Sequence, residues 1–256
     1  SLGHRGQLGT RNAPTVYNAA RHVAQFWDGR AVDVEEQAKG PILNPVEMAL
    51  PNAAAVVSML KSIPGYMPLF QAAFPGVKDP ITYDNVGIAI GAFERKLVTQ
   101  DRFDDYLSGD KDVLSPDEVR GLYVFLNSGC PACHTGPGVG GELYRKMGDV
   151  KVYPSNGDTG RFEVTKKEMD RNVFKVPSLR NIDRTGPYFH DGSQSTLTAA
   201  IRTMSEYQTI GGKLSDDEVR FVLRTAIPRL EEIGVPVLLP RNWVTSSSRL
   251  RVNLTA

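Results

Sequence analysis

Both cysteines of this 256-residue chain fall within four positions, in the stretch Ser128-Gly-Cys-Pro-Ala-Cys-His134, and a histidine follows at once. Three chemistries use such a pair: a redox dithiol, half of a zinc site, or covalent haem attachment. A zinc site as a rule takes four ligands, usually two Cys/His pairs. Here no second cysteine pair exists, and His4, His22 and His190 are scattered singly. A thioredoxin-like dithiol needs strand–helix–strand surroundings, whereas LSPDEVRGLYVFLNSG before the motif reads helical and the Gly-rich TGPGVGG follows it. Haem attachment accounts for every residue. Thioether bonds from Cys130 and Cys133, on one helical turn, hold the vinyl groups, and His134 offers its imidazole to the iron. Helix punctuation and the scarcity of alternating strands give a mainly α fold class, with long loops draped over it, as expected when a haem substitutes for part of the core. Attachment of this type takes place outside the bacterial cytoplasm, which implies a periplasmic location.

The rest of the chain agrees with a helical fold. Ser115-Pro-Asp-Glu118 is a capping box with proline at the first helical position, followed by Val119, Leu122, Tyr123 and Leu126 at helical spacing. Ser215-Asp-Asp-Glu218 repeats the device. The segments 50–63 and 84–98 read as amphipathic helices, and His22 falls in a third helical run, TVYNAARHVAQFW, as a structural residue. Gly40 to Pro45 and Phe74 to Gly76 read as loops. Only KVY at 151–153 and FEV at 162–164 suggest strand, as a short ribbon. The charge-rich stretch 100–113 marks a boundary between a half without cysteine and a half carrying the motif.

Thirty Lys and Arg against 29 Asp and Glu give a net charge of +1, so no bulk electrostatic attraction to nucleic acid exists. No apolar run is long enough to span a membrane. The first residues, SLGHRGQLGT, carry neither an initiator Met nor a signal-peptide pattern, as expected of a processed or longer chain. Met204, at the end of the amphipathic segment STLTAAIRTM, is a candidate second axial ligand, since a thioether raises haem potential relative to a second histidine.

The stretches SLGHRGQLGTRNAPTVYNA, VAQFWDGRA, EEQAKGPILNPVEM, SGCPACHTG, GRFEVTK, VPSLRNIDRTGPYFHDGS and AIRTM jointly resemble the bacterial dihaem cytochrome c peroxidases, in the same order, from Ser1 to about Val222. The resemblance implies two cytochrome c-like helical domains with calcium at their interface. Residues 1–108 correspond to an incomplete peroxidatic-haem domain, and 109–256 to the electron-transfer domain with a tail unassigned after about 225. It implies that Cys130, Cys133 and His134 attach and ligate the electron-transfer haem, with Met204 distal and His190 in its surroundings. His4 corresponds to the displaceable ligand of the peroxidatic haem. Glu47 and Gln37 correspond to the acid–base residue and its polar neighbour, and Trp27 to the aromatic between the haems. Asn12, with the carbonyls of Thr185 and Pro187, corresponds to the calcium site.

Peroxide heterolysis needs a proton moved from one oxygen to the other, which a carboxylate performs as base and then acid. An amide and two carbonyls are hard oxygen ligands that suit calcium. The family's other CxxCH lies upstream of its Gly-His stretch, so this chain is expected to attach one haem c covalently, against two in the family. The implied partners are hydrogen peroxide and a small cytochrome c or cupredoxin as donor, in a possible homodimer. Two alternatives are a single-haem electron-transfer module without peroxidase activity and a related dihaem enzyme that oxidises tryptophans in a partner. The latter group carries Tyr where this chain has Met204.

Overall fold

The computed structural model describes residues 2–154 and 157–225. The unmatched tail after about residue 225 lies outside the described residues. Four helices form the first half: α1 (Val34–Leu43), α2 (Ala53–Ser62), α3 (Tyr66–Ala73) and α4 (Tyr83–Glu94). Asp33, Asn52 and Thr82 cap α1, α2 and α4 by accepting from backbone N–H groups in the first turn, which satisfies donors a helix start otherwise leaves open. Their apolar faces meet in a cluster of Ile42, Val56, Phe70 and Val86, which Ile81, just before α4, completes.

A short α5 (Arg102–Leu107) follows, and then α6 (Pro116–Asn127). Both arms of the Ser115–Glu118 capping box are made, and so are those of Ser215–Glu218 before α9 (Asp216–Thr225). With α7 (Phe162–Thr165) and α8 (Leu197–Gln208), nine α-helices are present among the described residues. A second cluster, Leu214, Val219 and Val222, packs against Val124 of α6 and Ile201 of α8. The crossing of α6 and α9 depends on Gly121, where an added Cβ would stand 2.0 Å from the Phe221 carbonyl oxygen.

Several expectations are corrected. The ribbon is not 151–153 with 162–164: Phe162–Thr165 is one helical turn, and the strands are β1 (Tyr144–Lys146) and β2 (Val173–Lys175), antiparallel with Arg145 opposite Phe174. The run around His22 is not a continuous helix. Only Ala19–Arg21 forms a 3-10 turn, because Asn18 and Phe26 take left-handed conformations and the backbone bonds outward, Asn18 N–H to Leu97 O and Val23 N–H to Gly141 O. Helix α4 stops at Glu94 instead of Val98; Leu97 turns back on Glu94, and its own carbonyl receives that Asn18 N–H. Gly40 to Leu43 belong to α1 instead of a loop, and the boundary stretch 100–113 contains α5. Met204 does not close its helix, since α8 runs one turn further.

Arg180 ties α5 to the loops over the second half. Its guanidinium bonds both oxygens of Asp104 (2.8 and 2.6 Å) and the Pro137 carbonyl (2.6 Å), with a side chain only 6% exposed. Replacing Arg180 by Met removes one partner of a largely buried pair and is expected to cost about 3 kcal/mol. Hydrogen bonding to Arg180 holds the Asp104 carboxyl below its ordinary 3.8. The pair therefore stabilises above that range and is lost as pH falls through the lowered value. Asp101, 3.8 Å from Arg180, is pushed the opposite way by burial. The difference in Tm between wild type and Arg180→Met should accordingly narrow in acid. A difference constant from pH 7 to pH 3 would remove the Asp104 contribution.

Candidate haem site

The motif begins where α6 ends. Gly129, at φ 84, reverses the chain, and Cys130–Ala132 form a 3-10 turn in which the Cys133 and His134 N–H groups both reach the Cys130 carbonyl (3.2 and 3.1 Å). One tight turn thus carries both thiols and the imidazole. Cys130, Cys133 and His134 line a cavity of about 330 Å³, and Met204 reaches the same cavity from α8. Its walls are mainly apolar, with Leu122, Phe125, Leu179, Ile201 and Leu214 among them.

His134 Nδ1 lies 3.3 Å from the Val139 carbonyl. A carbonyl only accepts, so this contact assigns the hydrogen to Nδ1 and leaves the Nε2 lone pair available, the arrangement that orients a metal-ligating histidine. Burial pulls the imidazole pKa down to about 4, against the opposing pull of the Val139 and Pro177 carbonyls, so the ring is neutral at neutral pH. Burial also pushes the Cys130 thiol up, which is the reverse of what a reactive redox thiol requires. Among the described residues no three His, Cys, Asp or Glu side chains converge as a zinc site would need. Two thiols, a neutral imidazole and a thioether around one apolar space are a donor set that fits haem c.

A second wall of the cavity holds Trp27, His190, Asn12, Thr185 and Pro187. Trp27 Nε1 donates to the Asn12 carbonyl (2.8 Å), and its ring meets His190 edge-on at 6.4 Å. His190 is buried and stacks on Phe174 at 4.0 Å. Asn12 N–H donates to the His190 carbonyl (2.7 Å), and its side-chain amide donates to the Pro187 carbonyl (2.6 Å). Asn12 and Pro187 therefore meet across 175 residues of sequence. Next to Asn12, Arg11 joins Asp28 of the first half (2.5 Å) to Asp158 of the second (2.6 and 2.7 Å).

His4, Gln37 and Glu47 lie apart from this cavity. The His4 N–H donates to the carbonyls of Val46 (3.1 Å) and Glu47 (2.8 Å), which sets the two backbones side by side. Gly3 permits the approach, because an added Cβ would stand 1.9 Å from the Val46 oxygen. The turn bearing Glu47 folds back on α1, with Met48 N–H on the Pro41 carbonyl and Leu50 N–H on that of Ile42, and α1 carries Gln37. The side chains of His4 and Glu47 face solvent, and Gln37 is half-buried.

A family profile described as di-haem cytochrome c peroxidase matches residues 1–112. The chain is 46% identical over 254 residues to the cytochrome c551 peroxidase of Nitrosomonas europaea, covering 97% of this chain and 75% of that one. The chain belongs to the di-haem cytochrome c peroxidase family. A cytochrome c551 peroxidase from Pseudomonas aeruginosa is also 46% identical, over 87% of this chain and 65% of its own length. The crystal structure of a MauG-like protein associated with microbial copper homeostasis superposes with a TM-score of 0.77 at 28% identity, over 88% of this chain and 77% of that one. The helical architecture is thus the di-haem peroxidase fold, and membership implies haem c.

Sequence reasoning missed three cations of this peroxidase-family site: Arg11, Arg180 and Lys175. Lys175 was the most legible of them, since it interrupts the apolar run VFKV, and a short continuous apolar run marks a strand buried on both faces. The structure buries it to 5% exposure, with its Nζ 3.1 Å from His22 Nδ1. Among the described residues no single helix is long and apolar enough to cross a membrane.

Proposed function

We propose that this chain works as a cytochrome c peroxidase, reducing hydrogen peroxide to water with electrons from a small c-type cytochrome or cupredoxin, outside the cytoplasm. The observation that carries the reading is the gathering of Cys130, Cys133, His134 and Met204 around one apolar cavity. In this reading Cys130 and Cys133 would hold a haem c covalently, and His134 and Met204 would ligate its iron. When bound, that haem supplies reversible one-electron transfer. The division into two domains near 108/109 is supported by the two separate apolar clusters on either side of that point.

The peroxide chemistry is assigned to the first half. Glu47 takes a proton from one peroxide oxygen and returns it to the other, so that water leaves. Gln37 on α1 would orient peroxide by hydrogen bonding, and His4, adjacent in backbone to Glu47, would hold the iron of the second haem until peroxide binds. Trp27 and His190 line the route between the halves. The position of His4, Gln37 and Glu47 outside the cavity also supports a second reading, in which the Cys130–Cys133 haem by itself only transfers electrons.

Met204→Ala tests the assignment. A thioether ligand favours the ferrous state, so the variant is expected to lose the sulfur-to-iron charge-transfer band and to show a lower reduction potential. A retained band and potential would return Met204 to the role of core filler.

We also assign calcium to Asn12 with the Thr185 and Pro187 carbonyls. Amide oxygen and nitrogen are distinguished by their hydrogen bonds, and rotating the Asn12 amide would present its oxygen beside the Pro187 carbonyl as a ligand. So few charged donors imply weak binding. Chelation is expected to lower Tm and, in the complete two-haem peroxidase, to slow electron transfer between the haems; if neither changes, the assignment fails.

A further inference from the structure

Among the described residues, the cavity wall holds one buried cation, Lys175, without a counter-ion. Lys175 is the last residue of β2, and three backbone bonds fix its place: its own N–H on the Trp27 carbonyl (2.7 Å), Val176 N–H on that of Leu143 (2.8 Å) and Gly141 N–H on that of Val176 (2.8 Å). Both Lys175 and His22 line the cavity that Cys130 and Cys133 line. Of the other cations on that wall, Arg180 is already bound to Asp104, and Arg145 is exposed. Among the described residues no carboxylate lies within ion-pair distance of Lys175. Its neighbour is the His22 ring.

An ammonium only donates, so His22 Nδ1 accepts from it and the ring hydrogen sits on Nε2. That Nε2 is buried and has no partner among the described residues. Burial and the adjacent Lys175 charge draw the His22 pKa down to about 3, and burial draws Lys175 to about 8. At neutral pH the histidine is therefore neutral and the lysine still mostly charged. An isolated buried ammonium is costly unless an anion meets it. The group expected in this cavity brings its own anions, because a haem carries two propionate carboxylates.

We propose that Lys175, held in position by His22, is the seat of one propionate of the haem anchored at Cys130 and Cys133. The inference rests on the haem reading above. Lys175 binds the carboxylate directly, and His22 is a positioning residue that accepts one ammonium hydrogen and leaves the others for the propionate. The seat also sets a positive charge close to the porphyrin, which favours the reduced state of the iron.

The test uses the mature haem protein and two substitutions, Lys175→Met and Lys175→Arg, read by redox titration and by the propionate bending modes in resonance Raman spectra. Lys175→Met is expected to keep its covalent haem, to shift the one-electron equilibrium towards the oxidised state roughly tenfold, ~59 mV, and to move a propionate mode. Lys175→Arg should hold the potential yet still move that mode, because a guanidinium bonds a carboxylate as a fork. A propionate mode unchanged in the Arg variant overturns the proposal, even where the Met variant accumulates poorly. So does a wild-type potential in Lys175→Met. A wild-type protein with no covalent haem at Cys130 and Cys133 would overturn the haem reading and this seat with it, a result distinct from a haem protein whose spectra ignore Lys175.

Discussion

Replacing Cys130 and Cys133 together by serine is expected to abolish covalent haem, so that no haem stain survives denaturing electrophoresis and the mass falls by one haem. Folding should suffer as much as colour. The mainly apolar cavity of about 330 Å³ would then lack the group that fills it, and unfilled apolar space lowers stability in proportion to its volume. The haem-free chain should therefore loosen in its second half, where α6, α8 and α9 contribute to that cavity's walls. Circular dichroism and proteolysis read the loss directly. A double serine variant that retained wild-type Tm would mean that protein atoms alone fill the space.

Glu47→Gln in the complete, haem-loaded peroxidase is expected to lower turnover by roughly 10²–10⁴-fold, the range for losing a general acid–base group. The haem spectra should hardly change. The substitution keeps the shape of the side chain, which is exposed, and leaves intact the backbone bond from His4 to the Glu47 carbonyl. The loss should therefore fall on kcat, with the fold and the second-half haem untouched. Wild-type peroxide turnover in this variant would take Glu47 out of the mechanism.

What could be read in the sequence was whatever is local. The two capping boxes announce α6 and α9 because Ser115 and Glu118, or Ser215 and Glu218, satisfy each other across three residues. The Cys130–His134 cluster was legible for the same reason: one turn carries it. The misplaced ribbon shows the limit. Phe162, Val164 and Thr165 favour strand by residue type, yet Lys166 in a left-handed conformation closes them into a helical turn. The real partners, Tyr144 and Lys175, are set by pairing across distant sequence. The run around His22 has helical spacing, but buried Asn18 bonds Thr99 and so commits the backbone elsewhere. The meeting of Asn12 with Pro187 came only through family resemblance, since nothing near either residue points to the other.

The burial of the two thiols bears on the order of assembly. Both cysteines are partly covered in the folded chain, and desolvation makes the Cys130 sulfur harder to ionise. Thioether formation needs sulfur within reach of a vinyl group and of whatever catalyst brings it. A chain in which α8 had already taken its place in the wall of the cavity that Cys130 and Cys133 line would be a poor recipient. The porphyrin is thus best joined to an open chain, and α8, with Met204, then closes over a group already in place. Maturation becomes a timing problem: delivery of haem has to outrun collapse of the second half.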